Sequence, residues 1–507
     1  MKITYLKIKT SFCLLVMGLT IQSCTMDINV NPNRPTASSS EFLLPPALLK
    51  LATYESVTLN ELGAFFAGYW GKANDVSIGG GGATLSYLDM IVNYSISDVF
   101  ANSVWENAYS NIYNIKRMED KEEHVNPAYA GICKILRAWY FLRLVDHYNN
   151  VPFFEASDPD NRTPRYDQGE RVYQEAVKLI SSGIALLQDV PQGSKIPSTD
   201  DILFKGDLTL WRKLGNTVKL RALIRQSEVA VPAYIQKEIL VILKEGSGFL
   251  TEDALLNPGF TTNAGQMNSF WTAFYRTTND NIVSNYNGYR PTQYLLAQYK
   301  AVNDPRMAQN YVAIAGDFKG VVLGSGNDAS QNFAVTSAFK GPKENNNQDG
   351  GLFKSPTQGL LLLAASESYF LQAEAAQRGW LAGHSAADLY SKAIKASFRY
   401  IGLSADKALE FLAQNSVDLA QAPNKIERIV RQKWLALNGI DGAEAWADYR
   451  RLGIPDAPGS LLVDATGKTH PIRLRYPTSE VNNNAQQVRE QGDIVGTDRA
   501  FRVFWQK

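Results

Sequence analysis

Cysteine and histidine are scarce in this sequence. Three cysteines in 507 residues exclude a disulfide framework. The four histidines, His124, His147, His384 and His470, fall in unrelated segments, and no H-E-x-x-H or C-x-x-C is present, so the chain writes no zinc site. Neither sign of charge is in excess: 51 Lys plus Arg stand against 50 Asp plus Glu, a formal net charge of +1. That leaves no basic surplus to neutralise a run of phosphates and argues against a nucleic-acid partner. Neither G-x-S-x-G nor a Walker-type loop can be written, and the run Gly79–Gly82 is followed by no Lys-Ser/Thr, so it reads as a surface loop. No metal, cofactor or catalytic residue is therefore expected. Acids are abundant, however, and a glycosidase pair need not be close in sequence, so a helical glycoside hydrolase stays open on spacing alone.

Long apolar runs are also missing beyond the N-terminus: no later segment supplies eighteen uninterrupted apolar residues. At the N-terminus, Lys2, Lys7 and Lys9 precede an apolar stretch of about a dozen residues, Thr10 to Ile21, which ends at Gln22-Ser23-Cys24. This is the pattern of a secretory signal, residues 1–23. A cysteine directly after a small residue at its end looks like a lipobox, with the Cys24 thiol as the site of lipidation. Ile21 and Gln22 stand where Leu and a small residue are more usual, which leaves ordinary signal cleavage nearby as the alternative. Loss of the signal removes three lysines and no acids, so the mature chain is mildly acidic.

The chain is well supplied with apolar and aromatic side chains: 45% hydrophobic residues, with 24 Tyr, 22 Phe and 9 Trp, suffice for a large core. Residues 24–40, rich in Asn, Pro, Thr and Ser, read as an extended tether to the body, 41–507. Helical spacing then dominates about 41–245: Trp105, Ala108, Tyr109 and Ile112 recur at i, i+3, i+4, i+7, as do Ile132, Ile135, Leu136, Trp139 and Leu142. Val172, Ala176, Leu179, Ile180, Gly183 and Leu187 form a third stripe. Between about 246 and 359 runs such as TTNDNIVSNYNGY and KENNNQDGG favour turns, the mark of a loop-rich insertion. Helical periodicity returns over about 360–450. Ala- and Gly-rich crossings such as AEAAQRGW followed by AADLYSKAI are similar to tetratricopeptide (TPR) helix pairs. The expected fold is mainly α: an α-superhelix with several TPR-like helix pairs, a loop-rich insertion and few short strands.

Eight blocks occur in order along the chain: NPNRPT, LLPPAL, YNNVPFFEA, FKGDLTLWRKLGNTVKLR, NDPRM, LAASESYFLQAEAAQRG, IERIVRQKWLALNGIDGAEAWADYRRLGIP and PIRLRYPTSEVNNN. In these blocks the sequence resembles the SusD/RagB outer-membrane nutrient-binding lipoproteins of Bacteroidetes, in their SusD-like branch. The resemblance implies an α-superhelical, TPR-containing fold on the outer face of the outer membrane, held there by the lipid anchor. It also implies a SusC-like TonB-dependent transporter as partner, an oligosaccharide ligand and no enzymatic activity. A peptide ligand of the RagB type is the alternative. Read as residues, the blocks look structural: Glu427 and Arg431 pair at i, i+4, Asn438-Gly439 ends a helix, and Asp207 caps one with Trp211 packed behind it.

Capture of carbohydrate without chemistry calls for exposed aromatic platforms with amide and carboxylate partners. Two segments offer that mixture: Tyr69, Trp70, Lys72, Asn74 and Asp75 with Tyr87 and Asp89, then Asn268, Trp271, Tyr275, Arg276, Asn279, Asn281, Tyr286, Asn287 and Tyr289. The expected ligand-binding set is Trp70, Asn74, Asp75, Tyr87, Trp271, Tyr275, Asn281, Tyr286 and Tyr289. Trp70, Trp271, Tyr275 and Tyr286 are expected as platforms in one shallow surface cleft, packing little into the core. Trp105, Trp139 and Trp434, at helical spacing, belong to the core.

Overall fold

The computed structural model describes residues 39–76, 86–326, 328–464 and 470–507. The predicted signal 1–23, Cys24, nearly all of the predicted tether and the Gly79–Gly82 run lie outside the described residues. The body opens with the Ser40–Thr53 helix, which passes through a π-helical turn, Tyr54–Leu59, into Asn60–Phe66. Long helices follow at Asn102–Glu122, Pro127–Tyr148, Gly169–Gln188 and Leu208–Arg225, each packed on the next. A second run, Ala365–Gln377, Ala386–Tyr400, Lys425–Leu437 and Gly442–Leu452, packs back onto the first through the Leu208–Arg225 helix.

The expected stripes are buried where helices face one neighbour: Val172, Ala176, Ile180, Gly183 and Leu187 line the inner face of Gly169–Gln188. The Pro127–Tyr148 helix is instead buried nearly all round, because it is sandwiched between the helices before and after it. Two crossings are close enough to require glycine. A Cβ on Gly183 would stand 2.6 Å from the Gly131 carbonyl oxygen, and one on Gly63 would stand 2.1 Å from the Gly442 carbonyl carbon. Asp207 caps the Leu208–Arg225 helix by accepting from the Thr209 and Leu210 amides, with Trp211 fully buried behind it.

The loop-rich stretch carries more regular structure than its composition suggests. Short helices occupy Ser269–Phe274, Ser284–Gly288, Gln293–Ala301 and Arg306–Asn310. Two antiparallel strand pairs tie it to the body: Trp70–Lys72 with Tyr289–Pro291, and Ala254–Leu256 with Leu360–Leu363. In the first pair Trp70 stands opposite Pro291 and Lys72 opposite Tyr289, so the two segments read as ligand-facing are joined backbone to backbone. No helix among the described residues is long and apolar enough to cross a membrane.

Candidate functional site

The strand pair brings the predicted aromatics together, but inside the molecule. Trp70 is fully buried, its ring among Phe65, Phe274, Tyr289 and Phe339 at centroid distances of 6.2, 5.5, 5.7 and 5.2 Å. Trp271 lies in the Ser269–Phe274 helix, which Asn268 caps, and meets Tyr275 edge-on at 4.6 Å. Tyr275 stacks on Phe353 at 5.0 Å, donates to Glu344 at 2.8 Å and accepts from the Lys343 amide at 3.0 Å. Tyr286 donates to the Phe339 carbonyl at 2.8 Å, and Tyr289 donates to Glu61. The expectation of solvent-facing platforms at Trp70, Trp271, Tyr275 and Tyr286 is therefore corrected, and Tyr289, expected to touch ligand, is buried with them. These five form one interior aromatic layer. The physical reason is area: each ring removes a large apolar surface from water, and four neighbouring Phe rings were available to close over them once the strand pair formed.

Burial shapes the titration of this layer. It pushes the Glu61 carboxyl up to about 7, against the pull of the Tyr289 hydroxyl that donates to it, and the Tyr275 phenol up to about 12.

The remaining predicted residues do reach the surface. Asp75 is exposed and accepts from the Phe333 amide at 2.8 Å. Asn74 is half-buried, its amide donating to the Asp328 carbonyl at 2.9 Å and to Ser325 Oγ at 3.3 Å. Tyr87, half-buried, stacks flat on Phe100 at 5.2 Å. Its helix is tied to the first strand by the 2.8 Å ion pair between Lys72 and Asp89, which with Ser86 holds the Asp89 carboxyl low against its partial desolvation. Asn281 is exposed in a separate turn, where Thr277 and Asn281 bond to each other and Lys343 pairs with Asp280 at 2.9 Å. No hydrogen bond or ion pair among the described residues joins Asn281 to Asn74, Asp75 or Tyr87.

Two residues that the sequence reading missed complete the Asn74–Asp75 surface. Phe333 is 40% exposed, with Val335 equally exposed beside it. Arg290, buried, donates to the Phe333 carbonyl at 3.1 Å, to Thr336 Oγ1 at 3.2 Å and to the Tyr286 and Tyr289 carbonyls at 2.6 and 2.9 Å. One guanidinium thus clamps the 333–336 loop onto the aromatic layer. The available signal was a lone Phe in the polar run SQNFAV.

Carboxylates elsewhere do not make a metal centre. Glu367, Asp441 and Glu444 offer oxygens within 4.8 Å of one another, the one such trio among the described residues. Protein cations already occupy their neighbourhood: Arg221 stands 2.6 Å from Glu367, Arg143 2.6 Å from Asp441, and Arg225 and Lys433 2.5 and 2.6 Å from Glu444. Each of the three acids therefore already has a protein cation within ion-pair distance, in the place a metal would take.

Comparison with known proteins fits this architecture. Among curated proteins, none matches the chain. A SusD homologue of Bacteroides fragilis superposes with a TM-score of 0.73 at 21% identity, over 93% of this chain and 100% of its own. A chitin-binding SusD homologue from Flavobacterium johnsoniae gives 0.72 at 22%, over 91% and 98%. A SusD/RagB family protein from Bacteroides thetaiotaomicron gives 0.71 at 18%, over 92% and 99%. These likenesses show the fold. The family model described as "Starch-binding associating with outer membrane" matches residues 32–477, and the chain belongs to this SusD-like family.

Proposed function

We propose that the protein is a cell-surface lipoprotein, anchored to the outer membrane through Cys24, that captures oligosaccharide and delivers it to a SusC-like TonB-dependent transporter, without catalysing a reaction on it. The family description, starch-binding and associated with the outer membrane, supports the ligand class and the location. The chitin-binding relative supports the ligand class alone. The observation that carries the reading is the exposed Phe333 ring on a loop pinned beside Asn74 and Asp75. An aromatic face next to an amide and a carboxylate suits a sugar's C–H face and hydroxyls.

In this arrangement Phe333 is the platform, Asn74, Asp75 and Tyr87 are the polar rim, and Asn281 extends the surface for a longer ligand. Trp70, Trp271, Tyr275, Tyr286 and Tyr289 act from beneath by holding the loops still. Stacking on Phe333 contributes roughly 1–3 kcal/mol by analogy with base stacking. The test is calorimetric titration with starch- and chitin-derived oligosaccharides: Phe333→Ala should weaken binding at least about tenfold, which is about 1.4 kcal/mol, with the thermal midpoint unchanged. Normal binding by Phe333→Ala moves the site elsewhere. Binding of peptides with no affinity for any of the saccharides overturns the glycan reading.

A further inference from the structure

A pocket of about 340 Å³ opens at the C-terminal end of the Gly442–Leu452 helix, between Tyr449, His470 and the segment bearing Arg499 and Arg502. It shares no lining residue with the Asn74–Phe333 surface. Among the described residues its lining contains five cationic side chains, Arg450, Arg451, Arg499, Arg502 and Lys507, and no carboxylate side chain.

Two of the five are already satisfied. Arg451 pairs with Glu374 and Asp448 at 2.6 and 2.8 Å, and Lys507 pairs with Glu228. The other three have no ion-paired carboxylate among the described residues. Arg499 and Arg502 stand exposed at the rim. Arg450 is buried, its guanidinium 3.7 Å above the Trp446 ring and 4.8 Å from that of Trp505. Its Nη1 donates to the carbonyls of Asp146 and Ile472 at 2.5 and 3.0 Å, and its Nη2 has no hydrogen-bond partner among the described residues. Burial draws this guanidinium down to about 9, the mark of a cation short of counter-charge. His470 adds a second unsatisfied group: its ring lies against Tyr94 and Tyr449 at 5.5 and 4.8 Å, and neither ring nitrogen has a hydrogen-bond partner among the described residues.

A buried donor without a partner is costly, and a cluster of unpaired guanidinium groups favours an oxyanion. The volume decides the ligand's size. At about 30 Å³ per water molecule, the pocket is far larger than a bare tetrahedral ion needs, and it lies at the low end of small-molecule sites. We infer that this pocket is a second binding site, which takes the carboxylate of a sugar acid against Arg450, Arg499 and Arg502 and the ring of that sugar beside Tyr449 and His470. The charge argument is independent of the proposed glycan surface; only the choice of a sugar as carrier rests on that reading.

The intact chain is titrated with glucuronate and with glucose at matched ionic strength, by calorimetry and by the imidazole NMR signals of its four histidines, with His470 assigned through His470→Gln. Glucuronate should bind and move the His470 signal, and glucose should leave it in place. The Arg499→Ala/Arg502→Ala variant, altered only at exposed positions, should bind glucuronate at least tenfold more weakly while keeping its affinity for neutral oligosaccharide. Phe333→Ala should bind glucuronate normally, so the two sites fail separately. Equal affinity for glucuronate and glucose, a stationary His470 signal, or unchanged glucuronate binding by the double variant overturns the inference.

Discussion

At the scale of single residues, two side chains show how burial changes a role. Trp70 has no exposed surface and touches four aromatic rings, so Trp70→Ala should cost roughly 3–5 kcal/mol in chemical denaturation. A denaturation midpoint equal to that of the parent would place this ring outside the core. Glu61 tests the same layer electrostatically. Its carboxyl is pushed up to about 7 by burial. A raised carboxylate binds a proton more tightly folded than unfolded, so its contribution is full below the unfolded value near 4.5 and is lost as pH rises through 7. Relative to Glu61→Gln, the parent should therefore lose on the order of 1–3 kcal/mol of stability between pH 4.5 and 7.5. Parallel stability curves for the two proteins would show that Glu61 titrates normally.

At the scale of elements, legibility follows from what periodicity encodes. The stripe on Gly169–Gln188, the Asp207 cap and the Glu427–Arg431 pair, 2.9 Å apart, all involve partners within one or two turns, and spacing reveals such partners. Trp70 and Tyr289 are 219 positions apart, and nothing local says that their strands pair. Their aromatics were recognisable as belonging together, and the side of the surface on which they lie was not. Phe333 was missed for the converse reason: an isolated ring in a polar loop has no pattern until Arg290 and Asp75 pin it. The stripe already included Gly183, but its partner across the crossing, Gly131, was not legible, and together they set how closely Pro127–Tyr148 and Gly169–Gln188 approach. Gly183→Ala puts a Cβ 2.6 Å from the Gly131 carbonyl oxygen and must push the helices apart. Overpacking of this kind costs roughly 1–3 kcal/mol, which thermal unfolding would register. The usual gain in helix propensity from Gly to Ala, about 1 kcal/mol, should be outweighed, and a stabilised variant would contradict the close crossing.

At the scale of the whole molecule, the two runs of helices are joined by buried charge as well as by apolar packing. Glu55 from the π-helical turn meets Arg143, which reaches Asp441; Arg225 reaches Glu444; Lys433 bridges Glu444 and Asp448; and Arg451 joins Asp448 to Glu374. The block IERIVRQKWLALNGIDGAEAWADYRRLGIP supplies five of these residues, Lys433, Asp441, Glu444, Asp448 and Arg451, which gives its charged pattern a structural meaning. Burial alone would push Glu374 up, yet Arg451 holds it down at about 2, with Arg378 and Lys433 adding to the pull. Glu444 is likewise held well below the carboxylate range, against its burial, by Arg225 and Lys433. Lowered carboxylates stabilise the fold above their unfolded value near 4.5, and that stability is lost as pH falls toward the folded value. Global stability should accordingly decline steeply between pH 4.5 and 2. Arg451→Met strands Glu374 and Asp448 in the interior and should cost roughly 3–5 kcal/mol at neutral pH. It should also shallow the decline below pH 4.5, because Glu374 without its guanidinium no longer resists protonation. Denaturation curves collected from pH 2 to 8 for both proteins read the two effects separately. A variant as stable as the parent at pH 7, or an acid limb of unchanged slope, would mean that packing alone holds the two runs together.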